Sequence, residues 1–151
     1  MKILLTKYER RYANNGQEAE RVVSLNLLGV DRKADNKPFW AGGDVGVLQV
    51  KTAKASVCKG LDIQAHIKQD KAEYYAYVLG DLSAMYVMRP DTWVLFVERF
   101  AYVTRDSVGK RGERGGSNGG GAKLKLKSES KALLAWLEAN ALYEVGKVVL
   151  T

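Results

Sequence analysis

Apolar residues recur at helical spacing in three stretches of the chain. In "NNGQEAERVVSLNLLG", Ala19, Val22, Val23 and Leu27 share one face, which predicts a helix from about residue 16 to 28. Asn14 or Asn15 can cap it, acids sit in its first turn, and Gly29 ends it. In "RPDTWVLFVERFA", Pro90-Asp91 opens a second helix whose Trp93, Phe96, Val97 and Phe100 face inward. "SESKALLAWLEANALYE" gives a final helix, with Ser128 as its cap and Leu133, Trp136 and Leu137 inward. A weaker pattern in "LDIQAHIKQDKA", residues 61–72, fits a short helix.

Other stretches alternate, as strands do. "VGVLQVKTA" reads as one strand. "YYAYVLGDLSAMYVM" reads as a hairpin, with Tyr75, Tyr77 and Leu79 on one arm, Met85 and Val87 on the other, and Gly80-Asp81 near the turn. "KLKLK", residues 123–127, alternates with one charged face. "VDRKADNKPFWAGG" is turn-rich, with room for a short strand. The order is helix, strands, weak helix, hairpin, helix, basic loop, strand, helix. That predicts an α+β or α/β domain with a mixed sheet. At 151 residues, with no repeat and no long linker, residues 1–151 read as one domain.

Charge changes the picture. The formal net charge is +7. Much of it sits in residues 104–127, "TRDSVGKRGERGGSNGGGAKLKLK", where a Gly-rich basic loop spans about 105–122. There Arg105, Lys110, Arg111, Arg114, Lys123, Lys125 and Lys127 face only Asp106 and Glu113. The loop lacks the preceding strand and the G-K-S/T ending of a P-loop. Its composition suits contacts to the DNA phosphate backbone, where each neutralised phosphate releases counterions. Arg111 and Arg114 can also pair with guanine edges. A solvated loop is the plainer alternative.

Composition also excludes. With Cys58 as the single cysteine, no intrachain disulfide is possible, and a reducing, cytoplasmic setting is expected. One cysteine and one histidine cannot build a structural zinc site. Cys58 and His66 show no third orienting group for nucleophilic catalysis. No apolar run reaches the ~18 residues of a membrane span, and "MKILLTKYERR" is too short in apolar residues for a secretion signal. Tyr74, Tyr75, Tyr77 and Tyr86 suit sheet core with polar tips, or a base-stacking platform.

The densest chemistry lies in "GGDVGVLQVKTAK", residues 42–54. On an unbroken strand Val47, Gln49 and Lys51 point one way, and Leu48 and Val50 point into the core. The strand end then offers an amide oxygen and an ammonium to one space, with Asp44 nearby. Such oxygen donors suit Mg²⁺, and a lysine beside it can serve an attacking water.

This pattern, Asp44 with Gln49-Val50-Lys51, resembles the PD-(D/E)-x-K nuclease superfamily in its D…Q-x-K branch. Intron-encoded homing endonucleases of that fold and some restriction enzymes carry a glutamine in place of the second acid. "GQEAER" resembles the "G-x-x-x-E-R" start of archaeal Holliday-junction resolvases. The resemblance covers roughly residues 14–60. It implies a restriction-endonuclease-like mixed sheet flanked by helices. It further implies Mg²⁺ or Mn²⁺ bound by Asp44, Gln49, the Val50 carbonyl and Glu20, with Lys51 serving the water. Asp35 is the alternative first acid, because an odd offset puts Asp44 and Gln49 on opposite faces of a straight strand. A bulge at Gly46 would restore the facing. Glu18 and Glu20 also suit the positive end of a helix dipole, whatever else they do.

The expected activity is a metal-dependent endonuclease acting on double-stranded DNA, of homing or restriction type. The alternatives are a Holliday-junction resolvase and a non-catalytic DNA-binding protein on a nuclease-like fold. Cutting both strands with one site per subunit implies a homodimer or homotetramer.

Overall fold

The apolar arms around Gly80-Asp81 form the centre of this computed structural model, which describes residues 1–31, 44–70, 72–105 and 121–143. The arms are β4 (Tyr74–Val78) and β5 (Ala84–Met88), an antiparallel pair with Tyr77 opposite Tyr86. Leu82, at φ 62°, lies in their connection. Almost every residue of the two arms is buried, as befits strands covered on both faces. β5 also pairs antiparallel with the two-residue β1 (Ile3–Leu4). β4 pairs in parallel with β2 (Leu48–Thr52), which completes a four-stranded mixed sheet in the order β1-β5-β4-β2.

A parallel pair needs a crossover. Here it runs through β3 (Ser56–Lys59) and the helix α2 (Ile63–Gln69), which Asp62 caps by accepting from the Ala65 amide. β3 belongs to a second, antiparallel sheet, β3-β7-β6, with β6 (Ala101–Arg105) and β7 (Ala122–Leu126).

Helices cover both faces of the mixed sheet. α1 (Asn15–Leu28) is capped by Asn14 and stopped by Gly29 in the left-handed region. Its Ala19, Val22 and Val23 pack on Leu48, Val50, Ala76, Val78, Met85 and Val87. On the other face, Tyr75, Tyr77, Tyr86 and Met88 meet α3 (Pro90–Phe100), α4 (Lys131–Asn140) and the apolar side of the second sheet. Trp93 stacks on Tyr75 with ring centroids 5.0 Å apart. The architecture is therefore mixed α+β, with four helices and two sheets among the described residues. None of those helices is long and apolar enough to cross a membrane.

Three local expectations change. The cap of α4 is Ser130, whose Oγ accepts from the Leu133 amide, and not Ser128. Glu129, between the two serines, is occupied elsewhere: it accepts from the Gly80 amide at 2.7 Å and from the Tyr77 hydroxyl at 3.2 Å. The base-stacking reading of the tyrosines fails for three of the four. Tyr75, Tyr77 and Tyr86 are core residues, with hydroxyls that donate to Asp70, Glu129 and Glu138. The strand predicted from Val45 onward is not continuous. It is broken at Gly46, and Val47 joins Leu48 and Val50 in the cluster under α1.

Candidate functional site

Gly46 breaks that strand because it adopts φ 59°, a value glycine reaches without strain. It takes the first central position of a two-residue turn, where a type II′ hairpin favours glycine. Val45 and Leu48 exchange both backbone bonds across it, at 3.1 and 2.9 Å. The Asp44 amide also donates to Leu48 O, at 2.7 Å. Two consecutive amides thus meet one carbonyl, which gives this arm one residue more than its partner, as in a β-bulge. The extra residue carries the Asp44 carboxylate onto the outer edge of β2, where Oδ2 accepts from the Val50 amide at 3.0 Å. Within a strand, the N–H and C=O of one residue point the same way. The Val50 carbonyl therefore addresses the same edge as Asp44.

Gln49 and Lys51 are half-buried and lie beside Tyr75 and Tyr77 in register, on the face away from α1. On that side of the sheet, Ile63 and Ile67 of α2 pack in the cluster that holds Tyr75 and Tyr77. The Lys51 ammonium lies 3.5 Å from the Ser56 carbonyl and opens into a pocket of about 370 Å³. Lys59, Lys123, His66, Ser56, Val57 and Cys58 line the rest of it. Among the described residues, three lysines and a histidine share this concavity.

The other expected residues are spread out. Glu20 is half-buried on α1, the helix that packs under Leu48 and Val50, and so approaches β2 from the face opposite Gln49 and Lys51. Arg105 is exposed at the end of β6. Lys123 and Lys125 leave β7 on its side away from Leu126, which is in the core, and Lys127 follows the strand. Asp35, Lys110, Arg111 and Arg114 lie outside the described residues. Among the described residues, no three His, Cys, Asp or Glu side chains converge as a metal-holding group. The Gln49 amide and the Val50 carbonyl are oxygen donors of other kinds.

Periodicity did not reveal two groups at this site. Lys59 enters through β3, a strand too short and irregular to read from its pattern. His66 enters through α2, held 3.6 Å from Asp70, which accepts from the Tyr75 hydroxyl at 2.6 Å. Cys58 lies in the pocket wall as a thiol. Burial raises its pKa first, and the negative charges of Asp62 and Asp70 raise it further. That is the reverse of what a nucleophilic cysteine needs.

Glu18 is structural. It is 1% exposed, accepts from the Arg11 and Tyr12 amides, and pairs with Arg21 at 2.9 Å. Arg21 reaches on to Asp31 and the Glu9 carbonyl, which ties the segment before α1 across that helix. Comparison of the chain with protein-family models, with curated proteins and with solved structures finds no match.

Proposed function

We propose that this chain is a divalent-metal-dependent endonuclease acting on double-stranded DNA. The observation that carries the reading is the Gly46 hairpin. It brings the Asp44 carboxylate onto the Val50 amide, within one peptide of both Gln49 and Lys51, beside a pocket rich in cations. Asp44, the Gln49 amide oxygen and the Val50 carbonyl are hard oxygen donors, the kind Mg²⁺ selects while it keeps several waters. These residues would hold the ion, and Glu20 would join only by reaching round the strand edge from α1. When bound, Mg²⁺ stabilises the charge that builds on the phosphate.

The chain's own residues do the rest. Lys51 donates hydrogen bonds to an incoming water and orients it. The hairpin fixes Asp44 against the strand. Arg105, Lys110, Arg111, Arg114, Lys123, Lys125 and Lys127 hold the backbone of the duplex, and two strands are cut by two copies of the chain.

One observation favours a second reading, a DNA-binding protein on a nuclease-like fold without the chemistry. α1 sets Glu20 on the face of β2 opposite Gln49 and Lys51, so that among the described candidate acids Asp44 is the one at the edge. Supercoiled plasmid incubated with Mg²⁺ or Mn²⁺ decides between the two. Wild type should nick it, and Lys51→Ala should nick about a hundredfold or more slowly, the contribution of a positioned proton-handling group, while still binding duplex. Wild-type protein that binds duplex and never nicks it selects the second reading.

A further inference from the structure

Natural proteins blunt the open edges of their sheets, because a row of unpaired N–H and C=O groups invites another strand. Among the described residues, β1, β2, β3 and β6 are the outer strands. β1 is only two residues long. β2 carries the Asp44 hairpin along its edge. β3 has an irregular register. β6 shows none of these devices. All of its residues stay in register with β7, and Tyr102-Val103-Thr104 at its centre carries no charge and no proline.

The hydrogen bonds show which groups of β6 face outward. The Lys127 amide donates to Phe100 O, so Tyr102 and Thr104, at even steps from Phe100, aim their backbone bonds at β7. Ala101, Val103 and Arg105 aim theirs the other way. The Ala101 amide is already taken by Val97 O at the end of α3. Val103 pairs with Leu124 on the face where Leu126 enters the core, yet it is 51% exposed. Tyr102, on the other face, is 44% exposed.

We propose that β6 pairs antiparallel with β6 of a second copy of this chain, about a two-fold axis through Val103. The two Val103 residues exchange both backbone bonds, and each Arg105 amide donates to the Ala101 carbonyl of the other copy. The strand is its own complement in this register. Val103 meets Val103, Tyr102 meets Thr104, and Ala101 meets Arg105, so no like charges stand directly opposite. On the outer face Lys125 of one copy and Lys123 of the other flank the Tyr102–Thr104 pair. Three strand spacings hold them about 14 Å apart, beyond the screening length of about 8 Å at physiological salt. β6 is short beside the about 20–30 residues a side of a standard interface. The pairing is therefore weak and concentration-dependent, and a ligand that holds two copies at once strengthens it. It stands on the strand edge and not on the endonuclease reading. Under that reading, duplex DNA is such a ligand, and the pair supplies the two-fold symmetry that two cuts need.

Sedimentation velocity from micromolar to millimolar protein tests the pairing, on wild type, Val103→Pro, Val103→Lys and Leu95→Lys. Leu95, exposed on α3, is the control for losing an apolar surface side chain. Wild type should pass from monomer to dimer as concentration rises. Val103→Pro removes the outward amide and spares the ladder with β7, as proline at an edge does. It should weaken association about tenfold or more, the loss of two interfacial hydrogen bonds. Val103→Lys, which sets two charges on the axis, should weaken it at least as far, and Leu95→Lys should match wild type. Val103→Cys should form a covalent dimer under oxidised glutathione, and wild type, whose Cys58 is buried, should not.

Monomers at every concentration, with no Val103→Cys dimer, overturn the pairing and leave the endonuclease reading to its own test. A dimer that both Val103 variants keep also overturns it, because another surface then joins the copies. A dimer lost in both variants, in a protein that never cuts duplex, supports the pairing, and it is then the endonuclease reading that fails. Should neither variant melt cooperatively, the Val103→Cys crosslink decides alone.

Discussion

Asp44→Asn and Asp44→Ala differ in one respect that the hairpin makes measurable. In the parent chain, Oδ2 accepts from the Val50 amide at 3.0 Å, a bond to an ionised acceptor. Such bonds contribute about 1.5–3 kcal/mol, and neutral ones about 0.5–1.5 kcal/mol. Asparagine keeps a neutral oxygen for the amide, so Asp44→Asn should cost about 1 kcal/mol. Alanine removes the acceptor, and Asp44→Ala should cost about 2 kcal/mol. Asp44 is only half-buried, so water can take part of that role and these figures are upper bounds. Both variants stay folded against a typical stability of about 5–15 kcal/mol. Urea unfolding followed by circular dichroism reads the two costs, with the slope against urea unchanged.

Activity should divide the variants differently. Both lose the negative charge that would hold a divalent ion. Losing about 3 kcal/mol of transition-state charge stabilisation slows a reaction about a hundredfold. Plasmid nicking should therefore fall at least that far in Asp44→Asn as well as in Asp44→Ala. An asparagine variant that nicks at the wild-type rate refutes the metal role of Asp44. An alanine variant as stable as wild type refutes the structural role assigned to its bond with Val50.

Two further outcomes follow from buried polar groups. Glu18→Ala strands the buried Arg21 and removes the acceptor of two amides, and should cost about 3 kcal/mol, the low end for breaking a buried pair, because Asp31 and the Glu9 carbonyl still hold the guanidinium. A loss under about 1 kcal/mol in urea unfolding would contradict this. Burial and the neighbouring carboxylates push the hydroxyl pKa of Tyr75 and Tyr77 well above the usual tyrosine range, and that of Tyr86 up to about 12. A raised folded pKa means that stability is whole below about pH 10, the unfolded value, and is lost as pH rises beyond it. Absorbance titration should show these three of the eight tyrosines ionising late, Tyr75 and Tyr77 only with unfolding, and early ionisation of all eight contradicts it.

Helices were the legible part of this fold. α1, α3 and α4 each bury a regular stripe, and Asn14, Gly29 and Pro90 mark their ends in the sequence. The hairpin β4–β5 was legible too, in its arms and its turn. Strands β1, β3 and β6 were not, each for a physical reason. β1 is two residues long and exists only through its pairing with β5. β3 buries Val57 and Cys58 in succession, across an irregularity in its register with β7, so no alternation survives. β6 starts where α3 ends, at Ala101, with no turn residue between them.

The site was legible where it is local and opaque where it depends on tertiary contacts. Gly46 in the sequence points to a break, and the break moves Asp44 to the edge of β2 instead of onto the face of Gln49 and Lys51. Nothing local places Lys59, His66 and Lys123 beside Lys51, because the β2–α2–β4 crossover and the second sheet do that. β2 is thereby divided three ways. Leu48 and Val50 face α1, Gln49 and Lys51 lie on the opposite face with Lys51 at the pocket, and the backbone edge faces Asp44. A carboxylate at that edge repels a phosphodiester on its own. In the proposed cleavage the cations of the pocket and an ion at that edge would have to act together for a phosphate to approach, so the lysines would serve it by charge as much as by contact.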